Sequence, residues 1–133
     1  MSQVVKVLVD SNFLMATAQF RIDVLRELGQ LLGGIVEPVL VSPVEGELRS
    51  VASGSGAKRA REAAQALEIA RRMRVEAVTL LPNESVDDVL VRVASERRWP
   101  VATNDRRLRR RLDEIGVPTI YLRQRTHLEA KGL

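Results

Sequence analysis

The sequence contains no cysteine, which removes disulfides and thiolate-bound metals from consideration. It has no apolar run long enough to span a membrane and no signal-peptide pattern, so the expected location is cytoplasmic. Aromatic residues make up 3% of the chain: Phe13, Phe20, Trp99 and Tyr121. The core must therefore be packed from Val, Leu, Ile and Ala, and no platform for stacking single-stranded bases stands out. The single histidine, His127, cannot form a clustered-imidazole metal site, and its polar surroundings give it no evident catalytic role. Internal repeats and low-complexity linkers are also lacking.

What is present suits one compact domain. The 133 residues are 45% hydrophobic and 29% charged, enough to bury a core without a second domain. We expect a single domain over residues 1–124 and a polar C-terminal tail over 125–133. The formal net charge of +4 is unevenly placed. Residues 1–91 hold 10 Lys/Arg against 12 Asp/Glu, whereas residues 92–133 hold 11 against 5. A basic C-terminal third points to a polyanionic partner, and Arg106 to Arg111 places five arginines in six positions.

Val4 to Val9 is an apolar, β-branched run broken by one Lys, as expected of a central parallel strand. It ends at Asp10, followed by Ser11 and Asn12 in what the pattern suggests is a turn that folds their side chains back on the carboxylate or on free backbone groups. Ile22, Leu25, Leu28 and Leu32 have helical spacing, with Gly33 and Gly34 as the stop. A short strand, Val39 to Val41, leads to Ser42, Pro43 and Glu45, which match a capping box. Glu47 lies in the next half-turn and can point over the carboxyl edge of the sheet. After Gly54 and Gly56, a helix from Ala57 carries a small-residue stripe of Ala60, Ala63, Ala64, Leu67 and Ala70, suited to close packing on the sheet or on a second copy. Val75 to Leu81 reads as a strand, and Ser85 caps a helix with Asp88 at the capping-box position. Val101 and Ala102 form another strand running into Thr103, Asn104 and Asp105. The arginine-rich helix follows, with Leu108, Leu112 and Ile115 predicted inward, and Pro118 to Leu122 is the last strand. This alternation predicts a three-layer α/β/α sandwich around a central parallel sheet.

Ligands in such sheets bind beyond the carboxyl ends of the strands. Three strand-to-helix junctions put carboxylates there, Asp10, Glu47 and Asp105, while Asp87 and Asp88 open the helix before the fourth strand. Either of the last two could simply complement a helix dipole. Gathered carboxylates repel unless a cation lies among them, and an all-oxygen set selects a hard ion such as Mg²⁺ or Mn²⁺. Such ions support in-line phosphoryl displacement.

VLVDSNFL, SPVEGEL, ESVDDVLVRVA and VATND resemble, in order, the four signature segments of the PIN-domain nucleases. The resemblance spans nearly the whole chain. It implies that Asp10, Glu47, Asp87 and Asp105 form a Mg²⁺/Mn²⁺ site that cleaves RNA, with Asp88 as a cap or secondary ligand. Asp87 is favoured by its spacing from Asp105 and Ala94. Thr103 and Asn104 match the family's corner, whose hydroxyl orients the last carboxylate. Ser11 and Asn12 would support the site from behind. Within the family, Ala18 to Phe20, the arginine-rich helix and Val117 to Leu122 are similar to stand-alone archaeal members related to small-subunit ribosomal RNA processing nucleases. A ribosomal precursor is thus the expected RNA partner, contacted by Arg106, Arg107, Arg110 and Arg111, and a homodimer is an expected assembly. Toxin-type members of toxin–antitoxin pairs share the acids but usually lack the long helix from Ala57, and a non-catalytic RNA-binding module on the same scaffold is the other alternative. A dehalogenase-like phosphatase would need an acid where Asn12 stands, and a receiver domain would need a lysine where Arg123 stands.

Overall fold

The computed structural model describes residues 4–133. Six strands, β1 (Val4–Val9), β2 (Ile35–Val41), β3 (Arg74–Glu76), β4 (Val101–Ala102), β5 (Thr119–Arg123) and β6 (His127–Lys131), form one sheet in the order β3-β2-β1-β4-β5-β6. The first five are mutually parallel, and β6 pairs antiparallel with β5. Six helices accompany them: α1 (Ser11–Gln19), α2 (Val24–Leu32), α3 (Ser42–Ala52), α4 (Ala57–Ala70), α5 (Val86–Arg97) and α6 (Arg106–Glu114). The chain moves from β1 outward to β2 and β3, then returns to the other side of β1 for β4 and β5. Right-handed crossovers in opposite directions put the two helix groups on opposite faces. Accordingly α1, α3 and α4 pack on one another and α5 packs on α6. The strand order reverses between β1 and β4, so the crevice of this fold opens at their carboxyl ends.

Val7, Leu8 and Val9 are fully buried, as a central strand requires. The two-residue β4 is held by its neighbours: the Asp10 amide donates to the Ala102 carbonyl at 2.9 Å and the Thr103 amide to the Ile120 carbonyl at 2.9 Å. The first bond fixes the end of β1 to β4, and the second fixes the end of β4 to β5. None of the described helices is long and apolar enough to cross a membrane.

The structure corrects several expectations. The expected central parallel sheet is present as β1 to β5, and β6 adds an antiparallel edge that the sequence did not reveal. Segment 125–133, expected as a polar tail, contains β6, which inserts Leu128 into the core at 6% exposure. The β5–β6 turn has Gln124 and Arg125 both left-handed, at φ 55° and 62°, with the Thr126 amide donating to the Arg123 carbonyl. Ser11 and Asn12 do not form a turn but open α1, whose N-cap is Asp10 and whose Phe13, Leu14 and Met15 are buried. On α2 the inward face is Val24 and Leu28, while Leu25 is exposed; Gly33 closes the helix at φ 69°. Strand β2 begins at Ile35, four residues earlier than expected, and β3 stops at Glu76, leaving Leu80 and Leu81 exposed.

No capping box forms at Ser42, because Val41 is the N-cap of α3. The Ser42 hydroxyl instead accepts from the Val78 amide at 3.0 Å and donates to its carbonyl at 3.2 Å. The chain beyond β3 has left the ladder, and its backbone polar groups need a partner. Glu45 pairs with Arg49 at 3.6 Å. On α4 the buried small residues are Ala63, Ala66 and Ala70, whereas Ala64 is exposed. Ile115 lies past the end of α6 and is exposed.

Candidate active site

At the carboxyl end of β1, Asp10 is only 3% exposed. Its Oδ1 accepts from the Ser11 amide at 2.8 Å and its Oδ2 from the Thr103 hydroxyl at 2.7 Å. These donors favour the anion, but dehydration outweighs them, and the charges of Asp87 and Glu47 act in the same direction. The carboxyl is pushed up to about 6.

The other acids come from three further elements. Glu47 projects from the second turn of α3 and accepts from the Ser11 hydroxyl, which ties it to the first turn of α1. Asp87, in the first turn of α5, is raised by burial and by the charges of Asp105 and Glu47, with Arg111 opposing. Asp105 caps α6, its Oδ1 accepting from the Arg107 amide at 2.9 Å and the Leu108 amide at 3.2 Å. Thr103 joins the two corners, since its hydroxyl donates to Asp10 and accepts from the Asp105 amide at 3.1 Å. Asn12 Oδ1 accepts from the Asn104 amide at 3.3 Å, and Asn104 Oδ1 from the Leu122 amide at 2.9 Å. Asn104 thereby ties the corner to β5.

Asp88 behaves differently. It completes the capping box with Ser85 and pairs with Arg111 at 2.9 Å, and these contacts hold its carboxyl below the usual range. Of the two neighbouring acids, Asp87 faces the other carboxylates and Asp88 already has a cation.

The charges of Asp87 and Glu47 thus act on Asp10, and those of Asp105 and Glu47 on Asp87, at the switch-point crevice. Among the described residues no three of them converge into a ready-made ligand cluster. The donor set is nonetheless all oxygen, carries one unit of burial-strained charge at Asp10, and suits a hard divalent ion.

Of the arginines on α6, Arg106, Arg107 and Arg110 are exposed. Arg111, expected on the RNA face, is committed to Asp88. Arg109 stacks on the Tyr121 ring at 3.9 Å. Trp99 carries Lys6 and Arg97 over its ring, which leaves it little role as a base platform. The Asp88–Arg111 pair was not legible in sequence, since it links two helices whose docking depends on the sheet between them.

A family model described as a PIN-like domain matches residues 7–125. The chain belongs to the PIN-like domain family. Ribonuclease VapC4 of Methanocaldococcus jannaschii is 27% identical over 128 residues, covering 96% of this chain and 98% of that one. The structure of the PIN domain endonuclease Utp24 aligns with a TM-score of 0.77 and 26% identity, over 96% of this chain and 92% of that one. A domain of a functionally unknown protein from M. jannaschii shares the fold, with a TM-score of 0.61 and 23% identity over 89% of this chain and 91% of that chain. The six-stranded, mostly parallel sheet described above is thus the PIN-like architecture, and its crevice carries the acids Asp10, Glu47, Asp87 and Asp105.

Proposed function

We propose that this PIN-like protein is an endoribonuclease that hydrolyses RNA phosphodiester bonds with Mg²⁺ or Mn²⁺ held by Asp10, Glu47, Asp87 and Asp105. The observation that carries it is the buried Asp10 at the carboxyl end of β1, pushed up to about 6, with the charges of Asp87 and Glu47 acting on it from α5 and α3. A fold gains nothing from such a cluster of like charges unless a cation joins it. A divalent ion supplies the Lewis acidity that lowers the pKa of an attacking water and offsets charge developing on the phosphoryl oxygens.

The chain's own residues do the rest. Thr103 holds Asp10 in one rotamer and sets the start of α6, so that the two outermost corners of the site stay in register. Ser11 orients Glu47, and Asn12 with Asn104 braces the loop between β4 and α6. Asp88 keeps Arg111 at the rim, where its charge attenuates that of Asp87. Arg106, Arg107 and Arg110 attract the RNA backbone without reading its sequence.

For the substrate, a ribosomal precursor is supported by the likeness of Ala18 to Phe20, the arginine-rich helix and Val117 to Leu122 to the stand-alone archaeal members. The similarity to Ribonuclease VapC4 over 96% of the chain favours a toxin-type role as the second reading. The test is cleavage of end-labelled RNA by the purified protein with Mn²⁺ or Mg²⁺. Products should appear with metal, vanish in excess EDTA and vanish in Asp10→Asn. Full cleavage in EDTA, or by Asp10→Asn, overturns the metal-dependent mechanism, and binding without cleavage leaves a non-catalytic RNA-binding module. Crosslinking in cells followed by sequencing of the bound RNA separates ribosomal precursors from messenger or transfer RNA.

A further inference from the structure

Beside the acidic crevice lies a cavity of about 200 Å³ between α1, α3 and α4. It shares Ser11, Asn12 and Glu47 with that crevice, so whatever fills it sits next to the phosphate being cut. Met15 and Leu48, both buried, give it an apolar wall, while Gln19, Arg59 and Glu62 bring polar groups to its lining. The volume is below the ~300 Å³ at which pockets for drug-sized ligands begin and suits a single planar ring system.

Arg59 and Glu62 stand three residues apart on α4, where oppositely charged side chains are within reach of each other. The pairs near this region are Glu45 with Arg49 and Glu68 with Arg71. Among the described residues, Arg59 and Glu62 form no such pair, and both line the cavity. Arg59 is exposed and Glu62 half-buried, so both charged groups are open to a ligand that rests on the apolar wall.

Resting on the ribonuclease proposal above, we infer that this cavity is a nucleobase subsite in which Arg59 and Glu62 select guanine in the nucleotide adjoining the scissile phosphate. Guanine presents two acceptors, N7 and O6, to an arginine fork. On its Watson–Crick edge it presents N1–H and the N2 amino group, two adjacent donors that match one carboxylate. Adenine offers an amino group where O6 would be and no donor at N1, so both charged side chains would lose their partners on burial. Cytosine and uracil lack both the N7/O6 acceptor pair and the N1–H/N2 donor pair, so neither matches the two side chains together. Proteins read unpaired RNA in this way, by taking a splayed-out base into a pocket and bonding its edges.

Two measurements test this subsite. In the first, random single-stranded RNA is cut by the wild-type protein with Mn²⁺ and the cut sites are sequenced. Guanine should be enriched at least ~10-fold at one fixed position beside the cut. Arg59→Ala and Glu62→Gln should each move the guanine-to-adenine ratio of kcat/KM toward one, a ratio from which general losses of folding or metal binding cancel. Absence of any base preference next to the cut, or an unchanged ratio in both variants, overturns the inference. In the second, Asp10→Asn protein is titrated with oligonucleotides carrying guanosine, inosine or 7-deazaguanosine at that position, or at each position in turn if no cut site has been mapped. Inosine lacks the N2 amino group and 7-deazaguanosine lacks N7, so both should bind more weakly, and equal affinities overturn the inference. If the wild type cuts no RNA but guanosine is still preferred to inosine, the ribonuclease proposal falls and the base subsite stands. If it cuts without preference, the reverse holds.

Discussion

The corner between β1 and α1 and the first turn of α5 both set carboxylates at a helix N-terminus, a position that favours negative charge. Their outcomes are opposite. Asp88 accepts from the Ser85 amide and pairs with Arg111, and its carboxyl is held low. Asp10 also accepts from two donors, but it is pushed up to about 6. What separates them is water and the sign of the neighbours: Asp88 faces solvent and an arginine, whereas Asp10 is enclosed and faces Asp87 and Glu47. A carboxylate at a helix start is therefore a cap where a cation answers it, and a ligand candidate where only other acids do.

The largest expected effect tests that division on activity. Asp10→Asn or Asp105→Asn should reduce RNA cleavage by at least ~100-fold, because each would remove a carboxylate from the proposed cation's shell. Asp88→Asn, by the same division, should leave cleavage within a few-fold of the parent. A comparable collapse in Asp88→Asn would erase the distinction between the two corners.

Stability against pH sharpens the same comparison. In the metal-free protein Asp10 titrates at about 6, above its ordinary value of 3.8, so the folded state binds more protons than the unfolded state between those values. Its unfavourable contribution is absent below pH 3.8, grows as pH rises through the window and is complete above about 6. Near pH 7 it amounts to at most about 3 kcal/mol. Asp10→Asn should therefore raise the metal-free Tm at pH 7 and flatten its decline between pH 4 and 6, while reducing the further rise given by Mn²⁺. Asp88 acts with the opposite sign. Its carboxyl is depressed, so its stabilising contribution is present above the unfolded pKa and is lost as pH falls through the folded one. A metal-free Asp10→Asn protein that melts below the parent at pH 7 would make Asp10 a structural cap.

A smaller effect separates the arginines that face solvent from the one already paired. Replacing Arg106, Arg107 and Arg110 by Ala should shrink the slope of log affinity for single-stranded RNA against log salt by about two, at ~0.7 per phosphate contact. Arg111→Ala should change that slope by less than one contact, since Asp88 already holds the side chain. The smallest effect is at Glu45→Gln, which removes only an i,i+4 pair with Arg49 and should lower stability by about 0.3–0.5 kcal/mol, measurable by urea unfolding.

How much of this could be read in the chain depended on how local each cause was. The acids at the ends of β1 and β4 and the Ser85–Asp88 box were legible because a strand end or helix cap is written in a few consecutive residues. Helix α1 was not, because Asp10 is both a candidate ligand and the N-cap, and a cap followed by Ser11 and Asn12 looks like a turn. Ser42 carried a capping pattern but was drawn to Val78, a partner 36 positions away. β6 escaped notice because its alternation rests on Leu128 and Ala130 alone, and the turn before it contains neither glycine nor asparagine. The split between Asp87 and Asp88 was suggested by spacing, but the arginine that distinguishes them arrives only when α6 docks beside α5.

That β5–β6 turn also bears on how the protein can be altered. Gln124 and Arg125 both hold a left-handed backbone, at φ 55° and 62°, a conformation that disfavours side chains of their kind by roughly 1–2 kcal/mol each and that Asn-Gly adopts readily in hairpins. Arg125 extends from the tip over the Phe20 ring at 5.3 Å, so a glycine there would remove a cation along with the strain. Position 124 has no such ring contact and lies on the same turn. The two positions thus set different limits on engineering. Gln124→Asn offers a route to a more heat-resistant protein with its surface charge intact, whereas any gain at 125 would come at the expense of a positive charge on the hairpin's outer end.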